Sequence, residues 1–273
     1  KNLYKLYAEA YTPWEWHKPI FDHAKKRGMI AFSSPFDTTA VDFLESLEVP
    51  LYKIASFENT DHILLKKVAK TGKPVIMSTG VASVADLDES VKVLRAHGCK
   101  DLILLKCTST YPATPETTNL LTIPHMRQLF DVPVGLSDHT MGIGAAVAAV
   151  ALGAVVLEKH VTLRRADGGV DSAFSLEPDE LKNLVIETER AQLALGQISY
   201  TLTPKEAKSL QFKRSLYVVQ NMKAGALFTP DTVRSIRPAN GLHTRYYDDI
   251  IGKTATQNIS AGTALDWELI NDK

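Results

Sequence analysis

Two histidines stand where two apolar runs turn polar. The run from Pro133 ends in Ser137-Asp138-His139, and the run from Ala154 ends in Glu158-Lys159-His160. The small-residue segment between them, from about Met141 to Gly153, reads as a helix. Strand, helix, strand in that order is a parallel crossover, which puts both strand ends on the same side of the sheet. His139 and His160 are therefore expected to face one pocket. Two imidazoles with carboxylates beside them can bind a divalent metal. The competing reading is that each histidine caps its own strand by hydrogen bonding. One isolated histidine would favour that reading; two at equivalent ends of one βαβ unit favour a site.

The elements needed to position this pair recur along the chain. Short apolar runs at 30–34, 52–56, 75–80 and 102–107 read as strands and precede the two just described, making six. Helical patterns at Thr38–Leu47, Asp61–Lys70, Ser83–His97 and Leu120–Phe130 alternate with them, and Glu180–Leu195 forms the last long helix. Ser83 is the expected N-cap of its helix, with Asp86 in the capping-box position. Before the first strand, Thr12 reads as an N-cap with Pro13 at the first helical position and Glu15 completing a capping box. Nearly continuous apolar strands alternating with helices argue for a parallel α/β architecture. No G-x-G-x-x-G turn and no P-loop marks it as a nucleotide-binding open sheet. Each strand instead ends in small hydroxyls or charges: Ser33/Ser34, Lys53/Ser56, Ser78/Thr79, Thr108/Ser109, Ser137 and Glu158. In a (β/α) barrel such ends converge on one mouth. Renewed polarity at strand ends accounts for the hydroxyls; it accounts less well for Lys53, Glu58, Glu158 and His160.

Composition narrows the class. The 273 residues carry 31 basic and 31 acidic side chains, which gives no sign of a nucleic-acid or membrane partner. No apolar stretch approaches the roughly 20 residues of a membrane span. The two cysteines, Cys99 and Cys107, need not pair, and the pattern suits a reducing compartment, with the cytoplasm as the expected location. The barrel unit is expected over 1–196, a linker over 197–211, and a small β-rich module over 212–273. In that module short runs at 215–219, 236–238, 252–255 and 257–259 alternate with Gly turns.

At this point the chain resembles the sialic acid synthase family. The resemblance lies in Phe32-Ser33-Ser34-Pro35-Phe36-Asp37, Tyr52-Lys53-Ile54-Ala55-Ser56-Phe57-Glu58, Ser78-Thr79-Gly80, Cys107-Thr108-Ser109-Thr110-Tyr111-Pro112, Gly135-Leu136-Ser137-Asp138-His139-Thr140 and Leu157-Glu158-Lys159-His160. Arg237-Pro238-Ala239-Asn240-Gly241-Leu242-His243 resembles the family's C-terminal antifreeze-like (SAF) module. The Tyr11-Thr12-Pro13-Trp14-Glu15-Trp16 run and the Gly241-Leu242-His243 turn resemble the branch that makes pseudaminic acid. The implied fold is a TIM-type (β/α) barrel plus a SAF domain. The family's opening strand–helix–strand unit, with an Ala-Glu-Ile-Gly-x-Asn-His-like motif that supplies a glutamate, has no counterpart in residues 1–273. The expectation is that this segment alone is inactive and poorly soluble.

The resemblance implies condensation of phosphoenolpyruvate with an N-acetylated amino-sugar aldehyde and release of phosphate by C–O cleavage. It implies a divalent metal, Mn²⁺ with Mg²⁺ or Co²⁺ as alternatives, on His139 and His160. Lys53, Ser34, Ser56, Ser78, Ser109 and Ser137 are the implied phosphoenolpyruvate contacts. The family has Thr where Ser34 stands and often Asn where Ser109 stands. Glu158 and Asp171 resemble sugar contacts, with Tyr111 beside them, and Glu58 is assigned either to the substrate or to orienting Lys53 or a helix terminus. Arg237 resembles an arginine that reaches a partner protomer's site and contacts the N-acetyl group, which implies a domain-swapped homodimer. Three readings stay open: a pseudaminic acid product, an N-acetylneuraminate or legionaminic acid product by the same chemistry, and a non-catalytic carbohydrate-binding scaffold.

Overall fold

The computed structural model of the protein describes residues 2–271. The chain divides into two compact units, Lys1–Gly196 and Gln197–Lys273. In the first, five parallel strands lie in sequence order: β1 (Tyr52–Ile54), β2 (Val75–Ser78), β3 (Leu102–Cys107), β4 (Val134–Asp138) and β5 (Leu157–Lys159). The helices that join them cover one face, and the core sits between, built from Val41, Leu44, Ile54, Leu64, Val75, Met77, Leu104 and Val134. Helix starts follow local chemistry. Asp61 caps the His62–Ala69 helix by accepting from Ile63 N and Leu64 N, and Ser83 and Asp86 form a reciprocal capping box on Val84–Ala96. Gly135 is required by close approach: a Cβ there would lie 2.2 Å from Val156 O, the acceptor for Leu136 N.

Several expectations are corrected. The six strands are five: residues 30–34 form no strand, and β1 pairs only with β2 among the described residues. An apolar run becomes a strand only when a neighbour completes its ladder, and Ile30 is exposed. Thr12 is not a cap. Pro13 occupies the N-cap of the Trp14–Lys26 helix, without a side-chain hydrogen bond, and a helix over Leu3–Ala10 precedes it. The crossover helix is shorter than its small-residue pattern, spanning Gly144–Ala151.

The second unit opens with a short helix, Pro204–Ser209, capped by Thr203 and Glu206 within the stretch read as linker. It then forms two antiparallel pairs: β6 (Ser215–Val218) with β7 (Val233–Ile236), and β8 (Thr254–Ala255) with β9 (Ile270–Asn271). Residues 257–259 contribute a single bridge, Met222 to Ile259, rather than a strand. Leu216, Val218, Phe228, Val233, Ile250 and Leu265 form this unit's core. Among the described residues no helix is long and apolar enough to cross a membrane.

Candidate active site

Side chains alternate along a strand, so Ser137 and His139 leave β4 on one face while Asp138 leaves on the other. β5 repeats the pattern with Glu158 and His160 against Lys159, in register with β4. Ser137 donates from Oγ to Glu158 Oε1 at 2.6 Å. Glu158 Oε2 lies 3.3 Å from Lys53 Nζ on β1, and Lys53 Nζ donates to Ser78 Oγ on β2 at 2.8 Å and to Ile54 O at 3.1 Å.

That ion pair reports the shape of the sheet. β1 and β5 are its opposite edges. In a flat sheet four steps of about 4.8 Å would separate them by roughly 19 Å, beyond the joint reach of lysine and glutamate. Their contact means that the sheet curls into a half-barrel with these side chains on its concave side. The open doubly wound alternative is excluded by the same distance.

Around Lys53 the hydroxyls form a rim. Ser56 Oγ accepts from Gly80 N at 3.2 Å. Cys107 Sγ, buried, lies 3.6 Å from Ser109 Oγ and 3.9 Å from His139 Nδ1. Burial raises the Cys107 thiol, but the hydrogen bonds to His139, Ser56 and Ser109 outweigh it and bring the thiol down to about 7. Burial likewise opposes the charged form of His139. Hydrogen bonding to Cys107 and Thr108 overcomes that and holds this ring above its usual value.

His139 Nδ1 lies 3.0 Å from Thr108 O, and His160 Nδ1 lies 3.3 Å from Asp171 Oδ2. A carbonyl can only accept, so Nδ1 of His139 carries a proton there, and in the neutral ring Nε2 keeps its lone pair. Neither Nε2 makes a hydrogen bond among the described residues. The two ring centroids are 5.2 Å apart. Burial lowers His160 below its usual value, against the pull of Asp171, so the ring favours the neutral form that a metal needs. Among the described residues no three His, Cys, Asp or Glu side chains form a metal-binding group. The donor set is two imidazoles, each oriented through its other nitrogen, with the remaining positions left to water or substrate.

Two aromatic rings close the side of the imidazoles. Tyr111 lies 4.3 Å from His139, and Phe174 lies 5.1 Å from His160, centroid to centroid. Asp171 and Phe174 sit on the loop after β5. Arg165 ties that loop down with two hydrogen bonds to the Glu180 carboxylate and one to Ser175 O. Arg165 is thereby engaged within the protein.

The structure thus brings together Lys53, Ser56, Ser78, Ser109, Tyr111, Ser137, His139, Glu158, His160 and Asp171. Ser34, half-buried, makes no hydrogen bond with any of them. Glu58 lies on the turn after β1 with Oε2 buried and unpartnered, and burial raises its carboxyl above the usual range despite the Lys53 charge. It makes no hydrogen bond to Lys53. Arg237 is exposed at the end of β7 in the second unit. Sequence reasoning overlooked Cys107, Phe174 and Asn59. Asn59, buried, donates from Nδ2 to Ser78 O at 3.2 Å and Gly80 O at 3.0 Å, holding the turn that carries both. An asparagine after a strand reads only as a turn residue, and nothing in the pattern singles out one phenylalanine or one cysteine.

Residues 1–200 match the NeuB family and residues 213–271 match the SAF domain. The pseudaminic acid synthase of Campylobacter jejuni is 43% identical over 265 residues, covering 97% of this chain and 77% of that protein. The pseudaminic acid synthase of Helicobacter pylori is 40% identical over 266 residues, covering 97% and 78%. The crystal structure of N-acetylneuraminic acid (sialic acid) synthetase from Leptospira borgpetersenii, in complex with citrate, superposes with a TM-score of 0.69 at 33% identity, covering 74% of this chain and 70% of that one.

Proposed function

The chain belongs to the NeuB family, and from that membership we infer that it is a phosphoenolpyruvate-dependent synthase that makes pseudaminic acid. Its reaction joins phosphoenolpyruvate, 2,4-diacetamido-2,4,6-trideoxy-β-L-altrose and water to give pseudaminic acid and phosphate. The observation that carries the reading is the buried Lys53 ammonium, ringed by hydroxyls, on the same concave face as two imidazoles with open Nε2 atoms.

The bond changes define what the residues must do. C3 of phosphoenolpyruvate forms a bond to the aldehyde carbon, whose oxygen takes up a proton. Water adds at C2, and the bond between C2 and the phosphate oxygen breaks. Phosphoenolpyruvate is highly anionic, so it needs fixed donors. We assign Lys53 Nζ and the hydroxyls of Ser56, Ser78, Ser109 and Ser137 to its phosphate and carboxylate. Ser78 and Glu158 hold the ammonium in place before substrate arrives, so little reorganisation is left for the reaction. Glu158 and Asp171, acceptors when ionised, suit the sugar's hydroxyls, and Tyr111 and Phe174 give it an apolar wall.

A divalent cation fits the donor set, and His139 and His160 would hold it through Nε2; we propose Mn²⁺, with Mg²⁺ or Co²⁺ as alternatives. When bound it would supply Lewis acidity at the aldehyde oxygen. Thr108 and Asp171 orient the two rings for that task. We further propose a homodimer with exchanged C-terminal units, in which Arg237 of one protomer contacts an N-acetyl group in its partner's site. Phosphoenolpyruvate is a metabolite of the cytoplasm, where the activity is proposed to lie.

Phosphate release from phosphoenolpyruvate by the full-length polypeptide with Mn²⁺ tests the reading, using three sugars in parallel: the altrose compound, its legionaminic counterpart and N-acetylmannosamine. Release with the altrose compound alone is the expected result. Release with another sugar alone would keep the chemistry and replace the substrate. No release with any, from folded and metal-loaded protein, would overturn the enzyme reading in favour of a scaffold.

A further inference from the structure

We propose that Asp138 and Lys159 are positioning residues whose buried ion pair sets the spacing of the His139 and His160 rings. The inference rests on the reading that those rings hold a divalent cation.

Three consecutive cross-strand steps link the ends of β4 and β5. Ser137 meets Glu158 at 2.6 Å, Asp138 meets Lys159 at 2.8 Å, and the His139 and His160 rings meet at 5.2 Å. The first and third face the concave site, and the second faces away. The backbone register between the strands runs out at Asp138 and Lys159, one residue before the imidazoles. Beyond that point the pair takes over. Asp138 Oδ1 accepts from Thr140 N at 2.8 Å, and Lys159 Nζ donates to Asp138 Oδ2 and to Thr140 O. The residue after His139 is therefore clamped to the residue before His160. Other bonds hold the two rings' backbones only outward: Ala113 N donates to His139 O at 3.0 Å, and Leu176 N donates to His160 O at 2.8 Å.

Burial makes the clamp stiff. The two side chains are 1% and 4% exposed, so neither charge is screened by water or exchanges its partner for solvent. A buried pair contributes little net stability relative to a well-packed apolar pair. Its retention at this site is explained by geometry: one carboxylate oxygen takes the Thr140 N–H and the ammonium takes the Thr140 carbonyl, a junction that an apolar pair cannot copy.

The test compares parent protein, Asp138→Asn and the apolar double variant D138L/K159M by Mn²⁺ titration, thermal melting and imidazole NMR of the metal-free protein. Asp138→Asn keeps an acceptor for Thr140 N and removes the charge pairing. It is expected to raise the Mn²⁺ Kd about tenfold, the lower end of the loss seen when outer partners of metal ligands are changed. It is also expected to shift the ring signals of His139 and His160 while leaving that of His97 in place. The double variant is expected to regain melting temperature without regaining affinity. Recovery of both together would mean that the pair is merely structural and would overturn the inference, as would unchanged affinity and unchanged ring signals in Asp138→Asn. If the parent does not bind Mn²⁺ but Asp138→Asn still moves both ring signals, the metal reading falls and the positioning role stands. If neither is seen, both fall.

Discussion

Gly80 is the position where a single methyl group tests the arrangement of the proposed anion site. It follows β2, and a Cβ added there would lie 2.0 Å from Ser109 Oγ, 2.8 Å from Ser56 Oγ and 3.2 Å from Ser109 Cβ. The backbone cannot retreat easily, because Asn59 holds Gly80 O at 3.0 Å and Ser56 Oγ receives Gly80 N at 3.2 Å. The hydroxyl of Ser109 can move, since a rotation about one bond carries Oγ away. Gly80→Ala should therefore leave the fold intact and evict that hydroxyl from its place beside Cys107. A hydrogen bond to a charged group contributes about 1.5–3 kcal/mol. At 1.36 kcal/mol per decade, its loss lowers kcat/KM for phosphoenolpyruvate by about 10- to 150-fold. The assay is phosphate release with phosphoenolpyruvate varied at saturating sugar, then the reverse, beside a thermal melt. The loss should fall on phosphoenolpyruvate and leave the sugar's KM within about twofold. In a Ser109→Ala background, where that hydroxyl is already gone, the Gly80→Ala penalty should shrink to the part due to Ser56 Oγ at 2.8 Å. A kcat/KM for phosphoenolpyruvate within twofold of the parent, or penalties that simply add, would refute the reasoning.

Three further outcomes are expected. His139→Ala or His160→Ala should abolish metal-dependent turnover, and a chelator should do the same to the parent protein; activity retained in chelator would contradict the proposed site. Glu58 has its carboxyl raised above the ordinary glutamate value by burial, so the folded state favours the protonated form. The stability this confers is complete below about pH 4.5 and is lost as pH rises through the higher folded value. Glu58→Gln should therefore stabilise the protein at pH 7 and make no difference at pH 4, as measured by denaturant unfolding at both; an equal effect at the two values would remove the assignment. Arg237→Ala should raise the sugar's KM far more than that of phosphoenolpyruvate. Mixed and refolded with His139→Ala, it should recover about a quarter of parental activity, because half the dimers then carry one complete site. No recovery would rule out action across protomers.

Much of the architecture was legible before any coordinates. Apolar runs too continuous for a half-exposed sheet marked β1 to β5, and the cap at Ser83 marked a helix start that the structure reproduces. These are local matters, decided by residues within a few positions of each other. The same local reading failed at residues 30–34. Their composition suits a strand, but strand formation depends on a partner elsewhere in the chain, and no described strand pairs there. The site divides along the same line. That His139 and His160 share an end of the sheet follows from a single parallel crossover, so the order of elements was enough. That Lys53 reaches Glu158 does not follow, because four intervening strand steps must first curl. Whether a sheet curls is settled by the packing of every helix against it. Phe174 beside His160, and Cys107 between Ser109 and His139, came into view only with the side chains in place. Residue type and spacing along the chain thus determined which groups can do chemistry and on which side of the sheet they end. Tertiary structure decided which of them touch, because contact between distant strands is a property of the closed surface and of no single segment.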